Sequence, residues 1–481
     1  MSAFRHSEAK RQPLSLRMKP WQWAIIIGEA ALLFGVLGAS VWLLLINGPA
    51  MQQVVQVATP TVTHTPTPSV WPTDSPSTPT PVNTRVVSRV SANQETIDKI
   101  EQQIVAVRSL RPGAAVPVEF LTRSEMLDNA RRQYQADTRV LQELALYRAL
   151  GLIQPGTLVD PETRVQMVAS NIAGFYDPKD KHLYVVSDLE NLGTDEKVTL
   201  AHEYTHALQD QQFDLSKYQD RIQTTDAYLA MMSVPEGDAT VVMSLYLYGN
   251  TTASDWDYLA YRAAFSDQSV ITATGVSTRV SEITYFPYIQ GAQFVTALWL
   301  DGKSWAEVNH AYADPPKSTS QVMHPSRYLT NHSGPVPVPL PDLGKALGKD
   351  WSSAIKADTL GEFITSVYLD EFLHDPQRAE RAAEGWSGDS YTLWQASGER
   401  QAFAWQIAWD TPRDADELFD AYSDLLRKRS GEAGTVERED ADLTWYSGDA
   451  GSGLVRRTSD RTLVLWGPDR ATVEKLLTAF K

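Results

Sequence analysis

The chain contains no cysteine among its 481 residues. This absence excludes disulfide bonds and thiolate metal ligands, so a metal site in this protein has to use imidazole, carboxylate or carbonyl donors. Stability must then come from the packed core and from any bound ions.

Basic residues are fewer than acidic residues. The sequence has 43 Lys and Arg against 59 Asp and Glu, which gives a net charge of −16. A surface of this sign repels a polyanion, so we expect no nucleic-acid partner and good solubility.

One long apolar run lies near the N-terminus, at residues 21–46, and it is broken by a single acid, Glu29. It exceeds the roughly 20 residues that span a bilayer, and a cleaved signal peptide would have a shorter core of about 7 to 15 residues. The run therefore predicts an uncleaved transmembrane helix. Five basic residues precede it and none follows until Arg85, so the positive-inside rule places residues 1–20 in the cytoplasm and the rest outside.

The next stretch, residues 47–92, is crowded with Thr, Ser, Val and Pro and has little hydrophobic periodicity. Such a composition cannot bury a core, and it predicts an extended, semi-rigid stalk. The protein is thus expected to be a single-pass protein of the cell membrane whose C-terminal part lies outside the cytoplasm.

A pentapeptide with metal-binding spacing, H-E-x-x-H, occupies residues 202–206. On an α-helix of about 3.6 residues per turn, His202 and His206 stand one above the other and can bind one zinc ion. Glu203 then faces the open coordination position, where a general base is needed. Leu200 and Leu208 belong to an apolar stripe that makes this helix credible.

A catalytic zinc usually takes three protein ligands, so a third donor is needed. The best candidate is Glu236, which is expected to open a second apolar helix directly after Pro235 and to point back at the metal. Asp238 or Thr240 could orient a metal-bound imidazole by a hydrogen bond.

These two segments resemble motifs of the gluzincins, zinc peptidases in which two helix histidines are completed by a glutamate on a downstream helix. Residues 202–210 look like the active-site helix of thermolysin-type enzymes, and 236–239 are similar to the second-helix motif of membrane-anchored bacterial gluzincins. The resemblance covers residues 174–246, and more weakly the stretch to 328. It departs after Glu236, where the fourth residue is Thr240 and not an aspartate. It implies a zincin-like fold, a Zn²⁺ cofactor and peptide hydrolysis.

Two flanking segments fit this resemblance. Residues 172–186 predict two strands joined by a turn at 177–180, and in zincins a similar hairpin ends in an edge strand that pairs with an extended peptide. Downstream, residues 283–299 predict a Pro-containing turn and then a helix. Tyr288 before that helix is the favoured donor to the oxyanion of a tetrahedral intermediate, and the other candidates are Tyr285, His324 and Tyr328.

We expect an α+β fold: a mainly helical zincin-like metallopeptidase domain with a small β-sheet at 93–385, and a C-terminal α+β module at 386–481. The roughly 390 residues after the stalk exceed what one compact core usually holds. Helices are predicted at 96–110 and from the capping box Thr122–Glu125 onward. In the module, the pattern of apolar and polar residues predicts strands at 391–394, 402–409, 443–446, 453–457 and 462–466, and helices at 414–429 and 469–480.

The expected function is that of a membrane-anchored, extracytoplasmic zinc metallopeptidase that acts on a peptide or protein substrate, with Glu203 as general base. One alternative is a catalytically inactive zincin-fold protein with a binding or structural role at the cell surface. Another is a different zinc-dependent hydrolase, such as an amidase. The intact Glu203 favours an enzyme, because a binding protein has no chemical need for that carboxylate.

Overall fold

A computed structural model describes residues 84–134, 138–154, 156–157, 173–187, 191–250, 277–330, 332, 334–398, 400–429 and 434–480. The expected cytoplasmic tail, transmembrane helix (21–46) and most of the stalk lie outside these residues. Among the described residues, no helix is both long enough and apolar enough to cross a bilayer.

Helices dominate the first part of the described chain and strands the last part. The helices are α1 (Thr84–Arg108), α2 (Arg123–Tyr134), α3 (Thr138–Ala149), α4 (Thr194–Phe213), α5 (Leu215–Gln219), α6 (Thr225–Asn250), α7 (Arg279–Gly302), α8 (Ala306–Ala313), α9 (Thr319–Met323), α10 (Pro325–Thr330), α11 (Gly344–Leu347), α12 (Gly361–Leu373), α13 (Pro376–Ala383), α14 (Pro412–Arg429) and α15 (Arg470–Thr478). The strands are β1 (Val118–Leu121), β2 (Gly174–Asp177), β3 (His182–Val186), β4 (Ser352–Asp358), β5 (Trp386–Gln395), β6 (Gln401–Trp409), β7 (Thr435–Asp440), β8 (Leu443–Gly448), β9 (Gly451–Thr458) and β10 (Arg461–Gly467).

The small sheet has the strand order β1-β3-β2, with β1 parallel to β3 and β2 antiparallel to it. Its inner face packs on α1 and α4 through a cluster that includes Phe120, Leu183, Val185, Ile100 and Leu200. Because β2 has a strand on one side only within the described residues, its other edge is left for a further contact. That edge lies against α4.

Helix α6 begins at Thr225 and runs through Pro235, so Glu236 lies in mid-helix and not in a first turn. The expectation that Glu236 opens a helix after Pro235 is therefore wrong. A proline has no N–H, which leaves the carbonyl of Met231 without its helical donor. The Tyr218 hydroxyl fills that position and donates to the Met231 carbonyl at 2.6 Å.

Helix α7 likewise starts at Arg279 and contains Pro287, so Tyr288 lies inside the helix and not before it. The two helices α6 and α7 cross in backbone contact at Gly237 and Gly291. A Cβ on Gly237 would lie 2.2 Å from the Gly291 carbonyl carbon, and no side chain fits there. This crossing brings Tyr288 of α7 close to Glu236 of α6.

The large sheet is antiparallel throughout, with the strand order β4-β5-β6-β10-β9-β8-β7. Both of its faces are covered. Trp405 and Ile407 of β6 point to the side where Tyr422 of α14 packs, whereas Ala404 joins Val473 of α15 on the opposite face. This sheet already starts at β4, upstream of residue 386 where we expected the C-terminal module to begin.

The start of α6 is bound to the C-terminal part through a partly buried and a fully buried carboxylate, Asp358 and Asp226. The Thr225 amide and hydroxyl donate to Asp358 at 2.7 and 2.5 Å. The Asp226 amide donates to the Thr359 carbonyl at 3.1 Å, and Asp226 Oδ1 accepts from the Thr319 amide and hydroxyl at 2.9 and 2.6 Å. The helix that carries Glu236 is thus anchored to the C-terminal sheet.

Asp226 gives this junction a pH dependence. The residue is 0% exposed and its Oδ2 has no hydrogen-bond partner. Burial raises the pKa of Asp226 to about 7 in spite of the Thr319 hydrogen bonds, and the charges of Asp389 and Glu362 act in the same direction as burial. The folded state therefore holds this proton more tightly than the unfolded state, and stability is lost as pH rises through about 7.

We expect Asp226→Asn to flatten the pH dependence of stability, because the amide keeps the Oδ1 acceptor and never ionises. Relative to wild type, the variant should gain on the order of 2 kcal/mol between pH 5 and pH 8. Urea denaturation at several pH values measures this gain. Asp220→Asn, at an exposed position, is the control. Parallel pH curves for wild type and Asp226→Asn would contradict the expectation.

Candidate metal centre

Three side chains from α4 and α6 converge on one point. His202 and His206 lie one turn apart on α4, and their Nε2 atoms are 3.1 Å apart. Oε2 of Glu236 on α6 lies 3.3 Å from each of these nitrogens. The structure thus brings together all three residues that the sequence suggests as metal ligands.

The donor set fits a metal ion. Donor atoms that share one zinc ion lie about 3 to 3.5 Å apart, since each is about 2.0–2.2 Å from the metal. Glu236 Oε2 is buried and has no hydrogen-bond partner, although it points at two imidazoles. Among the described residues, this is the one group of three or more His, Cys, Asp or Glu side chains whose ligand atoms come close enough to hold an ion.

The site lies near the protein surface. The side chains of His202, His206 and Glu236 keep 11%, 12% and 14% of their surface exposed, although the Glu236 Oε2 atom itself is buried. A structural zinc site is closed by four protein ligands, whereas a catalytic site leaves one position accessible. Three protein donors leave the fourth position of a tetrahedral zinc ion without a protein ligand among the described residues.

The charges of the site are strongly coupled. Burial alone would raise the pKa of Glu236, but the adjacent imidazoles of His206 and His202 outweigh it and hold that pKa well below its usual range. Conversely, burial opposes protonation of His206, yet the Glu236 carboxylate raises the pKa of that imidazole. The carboxylate is therefore an anion that attracts positive charge to this point.

The hydrogen-bond partner of His206 is Gln209 on the same helix. Its Oε1 lies 2.9 Å from His206 Nδ1, and its Nε2 donates to the Pro235 carbonyl at 3.1 Å. Asp238, one of the two residues expected to orient an imidazole, instead binds Arg108 and the Tyr312 hydroxyl. That expectation is wrong for Asp238, because the buried guanidinium takes its carboxylate. The other, Thr240, is buried and its hydroxyl has no hydrogen-bond partner.

The small sheet holds Glu203. The Tyr176 amide at the outer edge of β2 donates to Glu203 Oε2 at 2.9 Å, and the Tyr176 hydroxyl donates to Asp210 at 2.8 Å. Gly174 permits this approach, since a Cβ there would lie 2.6 Å from Thr199 Cγ2. Two bonds from one tyrosine therefore fix the edge strand along α4, next to the candidate ligands His202 and His206.

Tyr288 lies beside the ligands. Its ring stacks on His202 with centroids 6.1 Å apart. Burial, and then the negative charges of Glu236 and Glu203, raise the pKa of Tyr288 well above its usual value, so the hydroxyl keeps its proton. It is thus a neutral donor close to the point where His202, His206 and Glu236 meet.

The other candidate donors differ in their partners. His324 pairs with Glu362 at 2.6 Å, and the Tyr328 hydroxyl donates to the Asp314 carbonyl at 2.7 Å. Neither contact involves a proposed metal ligand. Tyr285 lies on α7, the helix that also carries Tyr288.

Three comparisons with known proteins bear on this chain. A family model described as a domain of unknown function (DUF8575) matches residues 351–477, which include all seven strands of the large sheet. Neither the curated proteins nor the solved structures contain a match. The matched segment excludes the helices that carry His202, His206 and Glu236.

Sequence reasoning missed Gln209 and Tyr176. Gln209 could have been found, because it stands three residues after His206 and hence on the same face of α4. Tyr176 contacts Glu203 through its backbone, and a backbone contact leaves no signature in residue type.

Proposed function

We propose that the protein is a zinc-dependent peptidase anchored in the cell membrane, with its catalytic domain outside the cytoplasm. The observation that carries the proposal is the convergence of two imidazoles and one carboxylate at 3.1 to 3.3 Å, with Glu203 next to His202 in sequence. Two nitrogen donors and one carboxylate oxygen are a typical ligand set of catalytic zinc in hydrolases.

His202, His206 and Glu236 would hold the metal. When bound there, zinc supplies Lewis-acid polarisation of a carbonyl and lowers the pKa of water toward about 7. Glu203 accepts the proton of the attacking water and returns it to the leaving amine. The protonated hydroxyl of Tyr288 stabilises the developing oxyanion.

The edge of β2 favours a peptide as substrate. Gly174 and Tyr176 lie on the strand edge that has no partner strand within the described residues, and that edge reaches Glu203 through the Tyr176 amide. An extended peptide can pair through its backbone with the rest of this edge, beyond the Tyr176 amide that Glu203 holds, which would lay a scissile bond beside the ligands.

Location rests on the sequence alone. The apolar run at 21–46 with basic residues on its N-terminal side would anchor the protein, and the Thr/Pro-rich stretch would hold the catalytic domain away from the bilayer. Such an enzyme would act on peptides or proteins outside the cytoplasm.

His206→Ala tests the metal centre. We expect the purified full-length protein to hold about one zinc per chain and the variant to lose it, with a lower melting temperature, because a metal that binds only the folded state stabilises that state. Elemental analysis and thermal unfolding with and without chelator measure both effects. His182→Ala, at a half-buried histidine in the hairpin of β2 and β3, is the matched control.

Zinc content and melting temperature should fall together. In wild type, chelation should lower the melting temperature toward that of His206→Ala and abolish cleavage of a peptide library. Retention of zinc by His206→Ala, or a melting temperature that chelator leaves unchanged in wild type, would contradict the proposed site.

A further inference from the structure

Gln209 is a buried amide that contacts both ligand-bearing helices. It is 0% exposed and lies on α4, three residues after His206. Its oxygen faces His206 Nδ1 at 2.9 Å, and its nitrogen donates to the Pro235 carbonyl of α6 at 3.1 Å. The Gln209 side chain thus joins His206 to Pro235, the residue directly before Glu236.

The Pro235 carbonyl decides which way this amide faces. A carbonyl only accepts hydrogen bonds, so the Gln209 NH₂ group must point to it and the Gln209 oxygen must point to His206. That oxygen accepts, and His206 Nδ1 therefore carries a proton. In a neutral imidazole the lone pair is then on Nε2, the atom that faces Glu236 at 3.3 Å.

The contact to Pro235 also fixes the neighbouring helix. Pro235 interrupts the hydrogen bonds of α6, and a helix is easily bent at such a point. The Gln209 amide holds the carbonyl directly before Glu236, while Gly237 directly after it packs on Gly291 of α7. Glu236 is thereby held between two contacts.

We propose that Gln209 is a positioning residue of the metal centre, which sets the tautomer of His206 and fixes α6 beside Glu236. This inference rests on the proposed function, because it assigns Gln209 a role toward a metal bound by His202, His206 and Glu236. Hydrogen-bond partners of metal-bound imidazoles commonly contribute 10- to 100-fold to metal affinity.

Two substitutions in the full-length protein separate the two contacts. Gln209→Leu removes both hydrogen bonds and should weaken zinc binding roughly 10- to 100-fold. Gln209→Glu keeps an acceptor for His206 Nδ1 but cannot donate to the Pro235 carbonyl, so its zinc affinity should fall between those of wild type and Gln209→Leu. Gln212→Leu is the control, since Gln212 is exposed on the same helix and binds the Arg111 carbonyl.

Zinc affinity is measured by competition with a chromophoric chelator, and the melting temperature of each chelated protein is measured beside it. A loss of zinc affinity in the order Gln209→Leu, Gln209→Glu, Gln212→Leu supports the inference. A lower melting temperature of chelated Gln209→Leu with unchanged zinc affinity overturns it, because Gln209 would then be only structural. If Gln209→Leu does not fold, Gln209→Met takes its place, because methionine has a similar volume and cannot make either hydrogen bond, and wild-type zinc affinity in Gln209→Met overturns the inference equally.

Failure of the proposed function would give a different result from failure of the inference about Gln209. In that case wild type itself binds no zinc and cleaves no peptide, whatever the Gln209 variants do. Zinc binding by wild type together with equal affinity in Gln209→Leu leaves the proposed function standing and removes only the role of Gln209.

Discussion

Glu203→Gln is expected to keep its zinc and lose at least about a hundredfold in turnover, because the amide cannot accept the proton of the attacking water. The substitution keeps the size of the side chain, and the Gln oxygen can still accept the Tyr176 amide that now lies 2.9 Å from Glu203 Oε2. His202, His206 and Glu236 are untouched. Zinc content and peptide cleavage of the two purified proteins measure the effect.

Glu196→Gln is the matched control for this experiment. Glu196 lies on the same helix and accepts the Gly193 amide at the helix start, so a general effect of removing a carboxylate from α4 would appear there as well. Cleavage at equal rates by wild type and Glu203→Gln would show that another base or a contaminant is responsible. Zinc binding without cleavage in either protein, over a broad peptide set, would favour an inactive scaffold with a binding role.

The pairing of His202 and His206 was the part of the candidate site most accessible from sequence. A spacing of four residues on a helix places two side chains on one face whatever the surroundings are. The structure brings Glu236 to these histidines as well, but from mid-helix and not from a helix start. A proline is a strong signal for a helix boundary, so Pro235 suggested that a helix starts there. Inside α6 the Tyr218 hydroxyl donates to the Met231 carbonyl, which would otherwise lack a partner. Tyr218 lies outside α6, so the residues around Pro235 give no sign of this contact.

In the large sheet, the inner strands could be predicted from sequence and the edge strands could not. Its inner strands, such as β6 with Phe403 and Trp405, read as strands because both faces are buried. The edge strands β4 and β7 were missed, since Ser352–Asp358 and Thr435–Asp440 contain mostly polar residues. An edge strand buries less surface and is often charged, so its sequence has little hydrophobic alternation.

Buried charge is another feature that composition alone does not reveal. Arg108 and Asp238 are both 0% exposed, and Arg108 Nε lies 2.7 and 2.9 Å from the two carboxylate oxygens. Asn309 accepts from the guanidinium at 2.6 Å, and the Tyr312 hydroxyl donates to Asp238 at 2.8 Å. This network joins α1, α6 and α8, and it lies two residues beyond Glu236.

Arg108→Met is expected to destabilise the protein by about 3 to 5 kcal/mol, because it leaves the Asp238 carboxylate buried without its counter-charge. Methionine fills a similar volume, so the loss of packing is small compared with the cost of the unpaired charge. Urea denaturation with chelator present measures this term apart from any loss of zinc. The control is Arg111→Met, since Arg111 is exposed shortly after the end of α1.

The double variant Arg108→Met, Asp238→Asn distinguishes the unpaired charge from lost packing. If the charge dominates, neutralising Asp238 should recover much of the stability, since Asn can still accept the Tyr312 hydroxyl and has no charge to bury. If Arg108→Met is within about 1 kcal/mol of wild type in stability, the ion pair does not stabilise this helix. If the double variant is no more stable than Arg108→Met, the loss comes from packing and not from the unpaired Asp238 charge.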